Sequence, residues 1–349
     1  MNLKAGLFIV LTLYISFAAA AAEFSEGALK LVLNEGTGRF SLYYTGEAKA
    51  QALFADEDPR SSFLSVMVND RSYKMGDSFS FKTRLAADGR NPAFIFESPS
   101  MTVTEEFAFM RSPDSVVPNA VKILITLENR GEQQVNAGAR FLLDTNLSEK
   151  ISGLSFSTNQ RTVASETLLT RTDGDQYWSD RNNALSLSGS FITGSSADPD
   201  SIHIANWKKL NDVSWKAAFQ AGRNFNFPPY SIGDSAVCYY FEPAALGRGE
   251  KRSVGFILAL NYEKAFNFAA SSSSVSVLGR SAEASAESIL NLTGENTGAE
   301  QQDLAALREL IAAIEIRIQA GTATDEEITS IEFALNKLRA KYGSGNNVR

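Results

Sequence analysis

Between residues 28 and 267 the chain is built from short alternating apolar runs separated by turn residues, and no helical stripe longer than about two turns interrupts them. A period of two repeated this often, without crossover helices, excludes a parallel sheet and leaves an antiparallel one. In "ALKLVLNEGTGRFSLYY" two runs flank Asn34 to Gly38, whose glycines can take the positive φ of a tight turn, so a hairpin is expected. "SFLSVMVNDRSYKM" repeats the pattern about Asn69 and Asp70. "VKILITLENRGEQQVNAGARFLL" reads as a further hairpin across Asn129, Arg130, Gly131 and Glu132. The runs "ALSLSGSFIT", "SIHIANW", "AVCYYF" and "RSVGFILAL" have the same character. With 44% hydrophobic residues a sizeable core can be filled, so residues 23–267 are expected to form one large mainly-β sandwich of two antiparallel sheets.

The ends of the chain follow other rules. Lys4, the apolar "GLFIVLTLYISF" and the alanines that follow have the layout of an export signal over residues 1–22, with cleavage near Ala20 to Ala22. The mature protein is therefore expected to be soluble, in a periplasm or outside the cell, with no stable membrane insertion. The only cysteine, Cys238, lies in an apolar run; it cannot form an intrachain disulfide and reads as a small buried hydrophobe. Net charge is −7 and the basic residues are scattered, which argues against nucleic acid as a partner.

Residues 268–299 are rich in serine and alanine and read as a linker. Beyond it, Leu304, Leu307, Ile311 and Ile314 make one stripe at helical spacing, and Ile328, Ile331, Leu335 and Leu338 make another. Gly321 is a helix stop, and Thr324 with Glu327 fits a capping box. Residues 300–343 are thus expected to form an antiparallel α-helical hairpin ahead of a flexible tail, 344–349. Two stripes this short bury too little to stand alone. The hairpin is expected to dock on its own sandwich, or on a protein partner or second copy.

Chemistry is sparse. With one histidine, His203, and no G-x-S-x-G turn, a serine triad has no footing. His203 sits among alternating apolar residues and reads as a strand histidine satisfied by a neighbour. One histidine and one cysteine cannot make a zinc site, so no zinc and no cofactor are expected. Asp56, Glu57 and Asp58, or Asp173 and Asp175, offer carboxylates to calcium without matching a calcium loop, and both are read as solvated turns. Glycoside chemistry needs only two carboxylates across a cleft. Asp144, Glu149, Glu166 and Asp234 stand at strand ends, with Asp144 and Glu166 the leading catalytic candidates. Tyr177, Trp178, Trp207 and Trp215 are candidates for a carbohydrate platform, since indole faces stack on sugar C–H surfaces; packing in the core is the competing role.

"VKILITLENRGEQQVNAGARFLLDTNLSEK" together with "GDSAVCYYFEPAALGRGEKRSVGFILALNY" resembles the large β-supersandwich of galactose mutarotase-like proteins and related sugar-processing enzymes. The resemblance implies a supersandwich over about residues 28–262, with a concave sheet able to host a ligand. Mutarotase activity would need a histidine pair that this chain lacks. The expected function is that of an exported non-catalytic binding or scaffold protein, with the helical hairpin making assembly contacts. The alternative is a carbohydrate-active enzyme, a hydrolase, lyase or epimerase, that uses strand-end carboxylates.

Overall fold

A computed structural model of the protein describes residues 21–266, apart from 47–48, 56–59, 88–90, 116, 146 and 150–155. Strands β1 (Ala21–Glu26), β2 (Leu29–Asn34), β3 (Arg39–Tyr44) and β4 (Gln51–Ala52) come first, followed by β5 (Phe63–Val68), β6 (Arg71–Lys74), β7 (Lys82–Ala86), β8 (Ala93–Glu97), β9 (Met101–Met110) and β10 (Ala120–Asn129). Next are β11 (Val135–Leu143), β12 (Phe156–Thr158), β13 (Thr162–Val163), β14 (Thr167–Thr170), β15 (Tyr177–Arg181) and β16 (Ser186–Ser190). β17 (Ser201–Ala205), helix α1 (Trp207–Asn211), β18 (Ala236–Leu246) and β19 (Lys251–Leu260) complete the described fold. The predicted linker and helical hairpin lie outside the described residues. Among the described residues no helix is long and apolar enough to cross a membrane.

The fold is mainly β and antiparallel, but it has three sheets where the sequence suggests two. β1 to β4 form a four-stranded sheet; a nine-stranded sheet runs β13-β12-β15-β16-β19-β10-β9-β8-β7; a six-stranded sheet runs β14-β17-β18-β11-β5-β6. Phe256 of the nine-stranded sheet packs edge-on to Phe141 (ring centroids 5.2 Å apart) and stacks on Tyr239 (4.1 Å), both from the six-stranded sheet. Phe40 of the small sheet lies between Phe107 and Phe141, at 4.9 and 5.9 Å, and so joins the same core. Burying one such ring contributes about 2–3 kcal/mol, enough to hold a short hairpin sheet against the larger pair.

The hairpins about Asn34–Gly38 and Asn69–Asp70 form between β2 and β3 and between β5 and β6. Asn69 takes a φ of 53°, a left-handed turn conformation asparagine tolerates. The expected hairpin across Asn129–Glu132 does not form. β10 pairs with β9 and β19, while β11 pairs with β5 and β18, so the connection crosses from one large sheet to the other. The β18–β19 connection crosses in the same way, and buried Asn129 ties the two corners together. Its Nδ2 donates to the carbonyls of Gln133 and Leu246, its N–H to Glu250 O, and its own carbonyl accepts from Gly249 N. Local turn residues suit either geometry; satisfying buried backbone groups decides between them.

One core position breaks the pattern. On β9, Glu105 falls in phase with Val103 and Phe107 and is 1% exposed. Burial pushes its carboxyl up to about 8, opposed by attraction to Arg39, so it is protonated at neutral pH.

Candidate functional site

Alternation along the six-stranded sheet sends Leu64, Ala139, Phe141, Ile202, Ile204, Val237, Tyr239 and Phe241 into the main core. The opposite, outer face carries a different set. Ser201 pairs with Tyr240, Tyr240 with Arg140, Arg140 with Ser65, and Ser65 with Lys74, so one polar rung crosses five strands. Directly paired residues share a face, which places these side chains side by side. The adjacent rung runs Leu168, His203, Cys238, Leu142, Phe63.

Over this face lie α1 and the chain after it. Asn206 caps α1 through Lys209 N, and its Nδ2 holds Phe225 O, Ser231 Oγ and Asp234 O, fixing the following loop. Leu210 packs with Phe63, Leu142, Cys238 and Tyr240 in a second apolar cluster. Trp215 sits edge-on to Tyr240, with ring centroids 6.2 Å apart, and its carbonyl accepts from the Tyr240 hydroxyl at 3.4 Å. The segment thereby crosses the groove and leaves a space on each side of it. One cavity, of about 370 Å³, is floored by Phe63, Ser65, Ser72, Lys74 and Arg140 and walled by residues 211–214. The other, of about 70 Å³, is bounded by Leu168, Ser201, His203, Phe219 and Tyr240.

Arg140 is 1% exposed in mid-strand. Its Nε donates to Cys238 Sγ at 3.1 Å and its Nη2 to the Leu210 carbonyl, and among the described residues it forms no ion pair with a carboxylate. Lys74 lies 3.8 Å over the Phe63 ring and 3.3 Å from Asp77. Burial lowers the Lys74 ammonium pKa; Asp77 opposes the shift, and Arg39 and Arg140 add to it.

The four carboxyls singled out from sequence separate into two groups. Glu166 is buried and fully engaged: it accepts from Lys209 Nζ at 2.6 and 2.7 Å, from Gln220 N at 2.9 Å and from His203 Nε2 at 2.9 Å. Burial would raise its pKa, but the Lys209, Gln220 and His203 bonds outweigh it and hold the group ionised. Burial lowers the His203 imidazole against the pull of Glu166, so the neutral ring donates to the carboxylate.

Asp144, Glu149 and Asp234 are brought together instead, with carboxyl oxygens within 4.8 Å of one another at the exit of β11 and the approach to β18. Glu149 accepts from Ser235 N and Oγ at 2.7 and 3.1 Å. Asp180, reaching from β15, accepts from Leu147 N and Ser148 N, both at 3.0 Å. Burial, with repulsion from Asp234 and Asp180, drives Glu149 up to about 7 against the Ser235 bonds. Such a set can share a proton near neutrality or give oxygens to a hard cation.

The aromatic candidates do not converge. Trp178 is 0% exposed inside the main core, its indole N–H donating to Tyr239 Oη at 2.7 Å, and it has no face to offer a sugar. Trp207 donates to Ser61 O at 2.9 Å and, like Trp215, packs against the second cluster on the outer face. Tyr177 is half-buried on β15 in the other large sheet. Arg140, absent from the sequence candidates, had a signal, a charged side chain between Ala139 and Phe141 inside a strand; Lys74, at the end of the polar strand β6, had none.

No family model matches the chain, and no curated protein sequence does. Among solved structures, a galactose mutarotase related enzyme from Lactobacillus acidophilus aligns at 7% identity over 70% of this chain and 98% of that one, with a TM-score of 0.40. A galactose mutarotase-like protein from Lactobacillus casei aligns at 8% identity over 69% and 100%, with a TM-score of 0.42. No family, site residue or activity is carried over from these likenesses.

Proposed function

We propose that the chain is an exported binding protein that takes a saccharide on the outer face of its six-stranded sheet. The observation that carries this reading is the cavity of about 370 Å³ floored by one polar rung, a size within the usual range for ligand pockets. Ser65, Ser72, Lys74 and Arg140 offer hydrogen-bonding groups around it, and Phe63, with Lys74 Nζ 3.8 Å over its ring, closes its floor. Glu166, a buried carboxylate on this face, stands outside the cavity lining with both oxygens bonded to Lys209, which favours binding over chemistry in the groove. The C-terminal stripes from Leu304 to Ile314 and from Ile328 to Leu338 serve assembly in this proposal. Calorimetric titration of the full chain against a panel of oligosaccharides tests the groove. Binding that Ser65→Trp abolishes, with the fold intact by circular dichroism, supports it; no binding across the panel refutes it. Deleting 296–349 should turn an associated species into a monomer, and an unchanged sizing profile would sink the assembly half.

A second reading, a carbohydrate-active enzyme, is favoured by the convergence of Asp144, Glu149 and Asp234. A carboxyl titrating near 7 is suited to general acid–base work. Proton transfer, as in epimerisation or elimination, suits such a cluster. A turnover screen in which Glu149→Gln loses all activity would move the assignment here; an inactive full-length protein would leave the binding reading alone.

A further inference from the structure

The outer-face cavity carries an imbalance of charge. Lys74 and Arg140 both line it; Lys74 lies 3.3 Å from Asp77, and among the described residues Arg140 meets no carboxylate. Asp212 on the opposite wall is occupied, both of its oxygens taken by Lys208 Nζ at 2.6 and 2.7 Å. Burying a guanidinium without a counter-charge is costly, and the hydrogen bonds Arg140 makes, to a thiol and a carbonyl, would be made as well by a neutral donor. The Tyr240 ring, its centroid 5.9 Å from the guanidinium, gives the charge a long cation–π contact but no counter-charge.

Position matters as much as sign. Arg140, Ser65 and Lys74 occupy consecutive strands of one rung, so a guanidinium, a hydroxyl and an ammonium face the same space in a row. An oxyanion matches that row: Nε and Nη2 of Arg140 are engaged by Cys238 Sγ and the Leu210 carbonyl, which leaves Nη1 for one of its oxygens, and the serine and lysine meet others. Phe63, under Lys74, holds the ammonium over its ring at 3.8 Å, and the cavity of about 370 Å³ is larger than a bare inorganic ion needs.

We propose that the groove selects an acidic saccharide, one bearing a carboxylate or sulfate group, and that Arg140 and Lys74 hold that group with Ser65 between them. The inference rests on the saccharide-binding reading above and narrows its ligand class. Neutral sugars would leave the Arg140 charge uncompensated and are expected to bind at least about tenfold more weakly.

The test is calorimetric titration of the full chain with four probes: an oligogalacturonate, a sulfated oligosaccharide, the matching neutral oligogalactose and sodium sulfate. The expected result is binding of one or both acidic probes, weakened by added salt, with little for the neutral one. Ser214→Glu places a negative charge on an exposed part of the cavity wall, where folding is not at stake; it should cut acidic binding about tenfold, and Lys74→Gln should do the same. Which acidic probe binds decides between carboxylate and sulfate. Equal affinity for the neutral oligosaccharide overturns acid selection and leaves saccharide binding standing. Sodium sulfate binding as tightly as the saccharides overturns the sugar and keeps only the anion. Acidic binding indifferent to both substitutions moves the site elsewhere, and no binding by any probe removes this inference and the reading beneath it together.

Discussion

Glu105→Gln should stabilise the protein, although it alters one of the most deeply buried polar groups in the core. The carboxyl is 1% exposed, and burial raises its pKa from 4.5 to about 8. In the unfolded chain the same group ionises near its ordinary value. Between these limits the unfolded state sheds a proton that the folded state keeps, so stability falls as pH rises from about 4.5 and levels off above about 8. At about 1.4 kcal/mol for each pH unit crossed, the penalty at pH 7 is roughly 3 kcal/mol. Glutamine has the shape and polarity of the protonated acid but cannot ionise, so it escapes that penalty and changes little else. Urea unfolding of both proteins at pH 4, 5, 6, 7 and 8 would read the difference directly. The two curves should meet at pH 4, and the variant should lead by roughly 3 kcal/mol at pH 7. A variant that is equally or less stable at pH 7 would show that the carboxylate is ionised in the fold and held by Arg39, and the reasoning from burial would be refuted.

The other predictions concern groups that are fully engaged. Glu166→Gln leaves Lys209 buried without its counter-charge and should cost about 3 kcal/mol in chemical denaturation; adding Lys209→Met should recover part of the loss. Gly189→Ala sets a Cβ 2.2 Å from Tyr239 Oη and 2.4 Å from the Trp178 indole, so it should cost about 3 kcal/mol and shift the buried tryptophan emission to the red. Asn129→Ala strips the Gln133 and Leu246 carbonyls of their donor and should lower stability by about 2 kcal/mol, seen as an earlier urea midpoint at unchanged slope.

Strand existence was legible in the chain because each run declares its own period, and the hairpins about Asn34 and Asn69 declare their turns. Partners were not legible. β10 and β11 read as a hairpin because nothing in "ENRGEQQ" distinguishes a turn within a sheet from a corner between sheets; that is decided by Asn129 and by strands more than a hundred residues away. The same limit scattered the candidate site. Asp144 and Asp234 could each be placed at a strand end, but their meeting depends on β11 pairing with β18, which places Leu143 opposite Val237. From sequence Trp178 reads as a sugar platform or as core, because indole serves both roles. Only Gly189 opposite it, with no side chain to fill the space, settles it as core. Glu105 and Arg140 could have been found by asking which charged residues fall in phase with apolar strand neighbours rather than which lie near turns.

That Tyr240 lies beside Arg140 on the groove follows from one irregularity. Pro243 in β18 has no N–H to give the ladder, and the register between β11 and β18 shifts there: Ala137 pairs with Ala244, but Ala139 pairs with Phe241. Gly138 sits opposite the extra residue with no room for a side chain, since a Cβ there would lie 2.6 Å from Phe241 O and 2.7 Å from Pro243 N. The carbonyls of Ala137 and Glu242, displaced from regular pairing, are both taken by Arg252 Nη1. Past the shift the register is regular, and it aligns Arg140 with Tyr240 on one side and Ser65 on the other. In a strand a slip of one residue exchanges the two faces, so without the extra residue in β18 Tyr239 would meet the groove and Tyr240 the core, while β11 keeps its unbroken register with β5. The bulge, Gly138 and Arg252 therefore belong to the binding face as much as the residues that line it.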